Sequence, residues 1–302
     1  MVALSRWTPW GAIVFAALMG CFSSDAKRLP EGVEPTVVMG DAPWVLGTRP
    51  TTGRAVALRL EEGRWTEDSP DANGRFLAAT ATTSGLSALV GQVGQAAAQL
   101  WHYRDGSWHT GAMLGHGPYT QLVLADDGSL WTEGDRGVHR MDPASGEWNR
   151  AALPADLRLG LQKLGAAEGR VAFAGQQLWV APAGGEPWTV LVATPMQATD
   201  GRWCLAMDGD RRLRLGRIEA EGVRWTGELA GNWQVSALAS DAEGIRAVAT
   251  RALSTEVMLI ESNADGSVLR SKRLAATPGH VGLGPQARYV DNRGRIVPLA
   301  GR

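Results

Sequence analysis

The sequence predicts an all-β protein built from repeated four-stranded units, and two series of turns support this prediction. In the first series a glycine stands just before an aromatic or apolar residue, and successive glycines are 43, 40, 39, 37 and 44 residues apart. These glycines are Gly63, Gly106, Gly146, Gly185, Gly222 and Gly266. A period of about 40 residues with hairpin turns is typical of β-propellers. We therefore predict one β-propeller over residues 36–302, with six or seven four-stranded blades and seven favoured.

The second series places an acidic or polar residue before a turn glycine, usually with an apolar residue two positions later. Glycine supplies the positive φ that tight hairpins require, so each member predicts a turn between two strands. The members are Asn73-Gly74, Asp127-Gly128, Glu168-Gly169, Asp200-Gly201 and the similar Glu243-Gly244 and Arg293-Gly294.

One unit can be followed strand by strand between Leu122 and Trp148. Turns are predicted at Asp127-Gly128, around residues 135–137 and at Ser145-Gly146, and the apolar runs between them have the length of strands. The Ala-rich segment Gln95–Gln99 is the one local competitor for a helix, and we interpret it as the approach to a strand.

The last blade is expected to lack an outer strand. The next glycine of the first series would fall just beyond Arg302. The segment Val33–Met39 is expected to supply the missing outer strand and to close the ring, which leaves no unpaired end blades.

The best-preserved unit resembles the two-component-regulator type of propeller repeat. The matching stretches are Asp127–Trp131 and Gly137–Trp148, and Trp44–Thr48 matches in part. That repeat prefers an aspartate three residues before the turn glycine, as at Asp71, Asp241 and Asp291. The resemblance implies an exported or periplasmic propeller, and it specifies a fold rather than a task.

The same unit departs from the repeat at two places. Ala125 occupies the position of the preferred aspartate. The Trp-Ile-Gly-Thr core of the repeat is replaced by Trp131-Thr132-Glu133-Gly134.

The first residues are typical of an export signal. Arg6 precedes an apolar run from Gly11 to Leu18, which is too short to span a bilayer, and Leu18-Met19-Gly20-Cys21 follows. The last four residues resemble the bacterial lipobox. This resemblance implies that residues 1–20 are removed as a signal peptide and that the Cys21 thiol carries a lipid that holds the protein to a membrane. Two alternatives are an ordinary secretory signal with a chance cysteine and, less favoured, a transmembrane anchor.

Residues 21–35 are predicted to form a flexible tether, because they are polar and rich in turn formers. Phe22, rather than an aspartate, follows Cys21. In the lipoproteins that this segment resembles, such a residue favours the outer membrane, so the expected location is a lipid anchor facing the periplasm.

Composition excludes several classes of protein. With 30 basic and 31 acidic residues the net charge is −1, so nucleic acid is not an expected partner. Hydrophobic residues make up 44% of the chain and charged residues 20%, as in a packed globular protein. If Cys21 is lipidated, Cys204 is the one remaining cysteine, and no intramolecular disulfide can form. Cys204 lies in an apolar run and is interpreted as a buried, inert thiol.

The aromatic and histidine residues offer few candidate sites. Most of the 13 tryptophans are interpreted as packing between blades, and Trp101 and Trp233 are the candidates for a ligand platform. A two-residue turn at Asp105-Gly106 would place His102 opposite His109. A metal is not predicted, because a third ligand is missing nearby and the direction of His116 cannot be read.

The remaining motifs predict structure rather than chemistry. Asp208-Gly209-Asp210 begins like a calcium loop, yet Leu213 and the missing glutamate favour a charged hairpin turn. Gly282-Leu283-Gly284 is too short for a nucleotide-binding loop, and no nucleophile elbow or metalloprotease motif is present. Catalytic residues are therefore unknown, and neither a cofactor nor a metal is expected.

Two functions follow as hypotheses. The favoured one is a non-catalytic binding or scaffolding propeller at the cell envelope, with an envelope protein or a glycan as its partner. The alternative is an exported enzyme, a lyase or a glycan hydrolase, with its site in the central funnel. Convergent carboxylates, arginines and histidines at the funnel would favour the enzyme, whereas a smooth or apolar rim would favour the binder.

Overall fold

A computed structural model describes residues 28–299, except 93–94, 116, 118, 135–136, 155–162, 252–253, 276–278, 284–286 and 292. Every regular element within these residues is a β-strand. None of the described segments is a helix long and apolar enough to cross a membrane.

The strands form seven antiparallel sheets, and in each sheet the order in space is the order in the chain. Blades one to three comprise β1 (Glu34–Val38), β2 (Trp44–Arg49), β3 (Arg54–Glu61), β4 (Arg64–Glu67), β5 (Arg75–Thr82), β6 (Gly85–Gly91), β7 (Ala98–Arg104), β8 (Ser107–Leu114), β9 (Leu122–Leu124), β10 (Leu130–Gly134), β11 (Gly137–Met141) and β12 (Trp148–Arg150).

Blades four to six are also four-stranded, and the described part of blade seven has three strands. They comprise β13 (Lys163–Ala167), β14 (Arg170–Ala174), β15 (Leu178–Pro182), β16 (Thr189–Val192), β17 (Met196–Thr199), β18 (Trp203–Met207), β19 (Arg212–Ile218), β20 (Val223–Ala230), β21 (Trp233–Ser240), β22 (Gly244–Arg251), β23 (Val257–Asn263), β24 (Leu269–Ala275), β25 (Gly279–Gly282), β26 (Arg288–Asp291) and β27 (Ile296–Pro298).

The seven sheets are the blades of one β-propeller. The first strand of every blade lines a common central channel. The prediction of a β-propeller is confirmed, and the number of blades is seven. We call the face where these inner strands begin the upper face and the face where they end the lower face.

The first glycine series marks one equivalent turn in six successive blades. Each of these glycines lies between the third and fourth strands of its blade, at the lower face. Gly63 and Gly106 have φ values of 79° and 75°, which an L side chain rarely adopts. The period of about 40 residues is therefore the length of one blade.

The second series mixes turns of different positions. Four of its members connect the first and second strands of blades three to six. Asn73-Gly74 instead precedes the inner strand of blade two, and Arg293-Gly294 connects the second and third strands of blade seven. The local chemistry of the turn is shared, but the place in the blade is not.

Aspartate side chains hold several of these turns. The carboxylate of Asp241 accepts hydrogen bonds from the backbone N–H groups of Glu243 and Gly244, at 2.9 and 3.0 Å. Asp291 accepts from the N–H groups of Arg293 and Arg295, both at 2.9 Å. At these two positions, the aspartate three residues before the glycine hydrogen-bonds backbone N–H groups of the turn that no strand partner satisfies.

The ring closes differently from the sequence-based expectation. Val33–Met39 does not supply the outer strand of the last blade, because β1 within this segment is the inner strand of blade one. Arg28 instead pairs with Arg295 beside β27, and the Leu29 N–H donates to the Gly294 carbonyl at 2.9 Å. An alternating apolar strand fits an inner or an outer position in a blade equally well, and for this reason the predicted position of Val33–Met39 was wrong.

Tryptophans fill the wedges between blades, as predicted. Trp131 is fully buried between blades three and four, and its ring centroid lies 6.0 Å from that of Trp188 in an edge-to-face arrangement. Its indole N–H donates to the Ser129 hydroxyl at 2.9 Å, so the polar atom is satisfied inside the core.

Glycines permit close backbone contacts between neighbouring inner strands. A Cβ atom on Gly165 in blade four would lie 2.4 Å from the Asp200 carbonyl carbon in blade five. A Cβ atom on Gly201 would lie 2.5 Å from the Ala167 backbone nitrogen. Since real Cβ atoms do not approach backbone this closely, both positions require glycine.

We expect Gly201→Ala to lower the free energy of unfolding by roughly 2–4 kcal/mol, because the new methyl group clashes and the φ of 92° is strained. Gly209→Ala is the matched control in the same blade, since nothing lies within 4 Å of its new methyl group. Urea unfolding of both variants checks this. Equal stability of the two variants would contradict the tight contact.

Candidate binding site in the central channel

The channel is a cavity of about 510 Å³ bounded by residues from all seven blades. Most of its described lining is aliphatic or carries a hydroxyl group, and aromatic residues are missing from that lining. The described ionisable residues of the wall are Asp41, Lys163 and His280. The wall is therefore smooth, with its charges at the two mouths.

At irregular positions in the pairing of inner strands, polar side chains form hydrogen bonds to the neighbouring blade. The pairing of β1 with β2 and of β17 with β18 shifts register at one residue, Thr36 and Gln197 respectively. The Thr36 hydroxyl donates to the Phe76 carbonyl of blade two at 2.7 Å. The Gln197 amide donates to the Trp233 carbonyl and accepts from the Val235 N–H, both at 2.8 Å.

A third link of this kind joins blades three and four. The Gln121 side-chain oxygen accepts from the Leu164 N–H at 2.5 Å, and the Thr132 hydroxyl donates to the Gln121 carbonyl at 2.6 Å. These side chains act as bridges between inner strands, so most polar atoms of the wall are engaged in structure.

Glu133, at the upper mouth between blades three and four, is not one of these bridges between inner strands. Glu133 is half-buried near the end of β10, and its carboxylate accepts a hydrogen bond from the Thr120 hydroxyl at 3.3 Å. Burial raises the pKa of Glu133 to about 7, although the hydrogen bond from Thr120 and the positive charge of Lys163 act in the opposite direction.

Lys163 is the first residue of β13 and is half-buried in the channel wall. No carboxylate in the described part of the chain lies within the 4.0 Å of an ion pair with its ammonium group. Its positive charge acts to lower the pKa of Glu133, although the two described side chains form no ion pair within 4.0 Å. The lysine is thus a cation facing the channel.

The other two ionisable groups lie elsewhere on the channel. His280, in blade seven, is exposed at the upper mouth, yet the neighbouring protein atoms lower its pKa through desolvation while Glu34 acts in the opposite direction. Asp41 lies at the lower mouth, where desolvation raises its pKa. The lowered pKa of His280 favours its neutral form, which leaves Lys163 as the cation among the ionisable residues described at the upper mouth.

The lower face is held together by charged turns. The carboxylate of Glu168, in the first turn of blade four, forms ion pairs with Arg217 at 2.6 Å and with Arg202 at 3.0 Å, both from blade five. The Arg217 guanidinium also lies 5.3 Å from the centre of the Trp203 ring. These contacts join two blades, so we assign this cluster to stability.

The histidine pair lies where the sequence predicted. His102 faces His109 across the β7–β8 ladder, and Tyr103 faces Trp108. His102 Nδ1 is 2.9 Å from the Ser87 hydroxyl, and His109 Nε2 is 3.0 Å from the Ser107 hydroxyl. Within the described residues no group of three or more metal-ligating side chains occurs, and His116 lies outside those residues.

The candidate aromatic platforms are packed into the fold. Trp233 is 4% exposed, and its indole N–H donates to the Ala230 carbonyl at 3.2 Å. Trp101 is half-buried and packs against the core of blades one and two. Trp233 therefore offers no open face for a sugar.

Two further interpretations are confirmed. Cys204 is fully buried, and burial raises the pKa of its thiol to about 12, so it is an inert core residue. Asp208 caps a hairpin turn by accepting from the N–H groups of Asp210 and Arg212, as predicted for a turn rather than a calcium loop. Cys21 and residues 1–20 lie outside the described residues.

Sequence reasoning missed the pair formed by Glu133 and Lys163. One signal was present, because Glu133 occupies the place of the glycine in the Trp-Ile-Gly-Thr core of the repeat. Lys163 is one of only three lysines in the chain, with Lys27 and Lys272. Their proximity depends on the packing of two blades, which spacing along the chain does not reveal.

Comparison with known proteins identifies the fold and nothing finer. No protein-family model matches the chain, and no curated protein is significantly similar to it. Among solved structures, virginiamycin B lyase from Staphylococcus aureus is 14% identical with a TM-score of 0.62, over 89% of this chain and 96% of the lyase.

Two other solved propellers are similar to the chain in structure. YCF48 bound to a D1 peptide is 12% identical with a TM-score of 0.59, over 91% of this chain and 94% of YCF48. PorZ, a surface component of the type-IX secretion system of Porphyromonas gingivalis, is 10% identical with a TM-score of 0.60, over 90% of this chain and 37% of PorZ. At such identities the similarity establishes the propeller fold alone.

The raised pKa of Glu133 predicts a pH-dependent stability. The folded protein holds the proton more tightly than the unfolded chain, so this contribution is complete below pH 4.5 and is lost as the pH rises through about 7. We expect wild type to lose roughly 1–2 kcal/mol between pH 5 and pH 8 relative to Glu133→Gln, a value reduced for partial exposure.

Urea unfolding of both proteins at the two pH values measures this difference. Glu147→Gln, which changes an exposed glutamate of the same blade, is the control and should follow wild type. Parallel pH profiles for wild type and Glu133→Gln would show that Glu133 is not desolvated.

Proposed function

We propose that this protein is a lipid-anchored propeller of the bacterial cell envelope, attached through Cys21 to the outer membrane and facing the periplasm, which binds or scaffolds a partner. The observation that carries the binding part of this proposal is the upper mouth of the channel. There Lys163, free of a described carboxylate within ion-pair distance, faces a cavity of about 510 Å³.

The path of the chain is compatible with an anchor at Cys21. The described chain begins at Arg28, on the outer edge of blade seven, and not at the channel. Six residues lie between Cys21 and Arg28, so their Cα atoms are seven steps apart along the chain. An extended chain of this length spans at most about 24 Å, so a lipid on Cys21 would hold the rim of blade seven close to the membrane. Blades three and four, which carry Glu133 and Lys163 at the upper mouth, would stay accessible across the ring.

An exported lyase or glycan hydrolase is the second candidate, and Glu133 favours it. A carboxyl group with a pKa of about 7 suits a general acid or base. Such a group must contact the substrate, whereas Glu133 does not belong to the channel lining and is joined to it by the hydrogen bond from Thr120. We therefore favour binding over catalysis.

The anchor is tested by metabolic labelling with a palmitate analogue. The chain has two cysteines, so Cys21→Ala and Cys204→Ala form a matched pair. We expect Cys21→Ala to lose the label and to leave the membrane fraction, because the acceptor thiol is gone. Cys204→Ala should keep both, since Cys204 is buried in the core.

Crosslinking and purification from the same cells tests the scaffold. Wild type should bring down an envelope protein or glycan that Cys21→Ala loses. Identical processing and location of the two proteins would refute the lipid anchor. A lipidated protein with no crosslinked partner would argue against the scaffold and favour the enzyme.

A further inference from the structure

A cation, a hydroxyl group and a carboxyl group that can bind a proton lie at the upper mouth of the channel. Lys163 and Thr120 line the channel, and Thr120 donates a hydrogen bond to Glu133 at 3.3 Å. Among the described residues the half-buried ammonium group of Lys163 has no carboxylate within ion-pair distance. A ligand carboxylate would stabilise it, because charge-assisted hydrogen bonds replace its lost hydration. The anionic part of a ligand is therefore expected at Lys163.

The rest of the wall indicates what such a ligand carries besides its charge. Ala79, Leu122, Ala237 and Leu238 contribute aliphatic surface to the channel. Sugars usually bind with an aromatic ring beneath them, and the described lining contains none. A channel lined by small aliphatic and hydroxyl side chains, with a cation at its mouth, fits the end of a peptide better than a glycan.

We infer that the upper mouth binds the free C-terminal carboxylate of a peptide segment with small aliphatic residues, held by hydrogen bonds from Lys163 Nζ and Thr120 Oγ1. This inference rests on the proposed binding function and names the ligand of that same site.

Thr120 links ligand binding to the protonation of Glu133. A hydroxyl group has one proton, and the Thr120 hydroxyl now donates it to Glu133. When Glu133 is protonated, its own O–H can donate to Thr120, and the Thr120 proton becomes free for the ligand. Protonation also removes a negative charge near the bound carboxylate. Both effects strengthen binding as the pH falls.

The other charged groups around Glu133 do not reverse the expected increase in affinity as the pH falls. Lys163 from β13 is the charged group that acts on Glu133, and the residue opposite Glu133 on β11 is the uncharged Val138. His280 also lines the channel; its charge would appear only at lower pH and would attract the same ligand.

The three lysines of the chain make a direct test possible. Reductive methylation with ¹³C-formaldehyde of the detergent-solubilised full-length protein gives one dimethyl-lysine signal each for Lys27, Lys163 and Lys272. Titration with acetyl-Ala-Val-Ala as the free acid should move the Lys163 signal, identified by its loss in Lys163→Arg. The exposed Lys272 should not respond.

Calorimetry of the same peptide measures the contributions of the side chains. We expect the C-terminal amide and the Lys163→Gln variant each to bind at least about tenfold more weakly than acid and wild type, whereas Lys163→Arg and Lys272→Gln stay within about threefold. Wild type should bind about fivefold more tightly at pH 6 than at pH 8, and Glu133→Gln should lose this dependence. Thermal unfolding confirms that each variant is folded.

Three results would overturn the inference. They are an unmoved Lys163 signal at about 10 mM peptide, equal binding of acid and amide, or a response to glucuronate in place of the peptide. None of these measurements depends on the lipid at Cys21. A failed anchor and a failed peptide site are therefore distinguishable.

Discussion

The close approach of seven inner strands around one axis is the constraint on which the rest of this structure depends. Where blades four and five meet, Gly165 and Gly201 bring backbone against backbone, and Gly40 and Gly282 do the same where blades one and seven meet. Large side chains fit only in the wedges farther out, where Trp131 and its neighbours lie. The channel wall is consequently smooth, and its chemistry is concentrated where the strands begin and end.

Ring closure follows from the same geometry. The three described strands of blade seven leave the edge of β27 open, and Arg28 and Leu29 cover part of it. The two ends of the described chain therefore meet in one blade, so that separating them costs paired backbone groups in addition to packing. Arg28 and Leu29 directly follow the segment proposed to carry the lipid anchor, so a pull on that segment would act on blade seven first.

The sequence predicts the repeating part of the fold well, because hairpin turns leave local signatures. Gly63 and its equivalents mark one turn per blade, and Asp241 and Asp291 cap their turns as their spacing suggests. The place of Val33–Met39 was wrong, since an apolar strand does not reveal whether it pairs on one edge or two. The site was missed for a related reason. Glu133 and Lys163 belong to different blades, and only the ring brings them together.

The position of Glu133 also bears on what the site can do. A catalytic acid must reach the reacting atom, whereas Glu133 is not among the residues that line the channel and is joined to that lining by the hydrogen bond from Thr120. From there it can set the direction of one hydrogen bond and the charge of the mouth, both of which alter affinity. A glycine at this position, as in the repeat that the unit resembles, could do neither. In the proposed binding site, the glutamate thus converts a structural position of the blade into a proton-sensitive element.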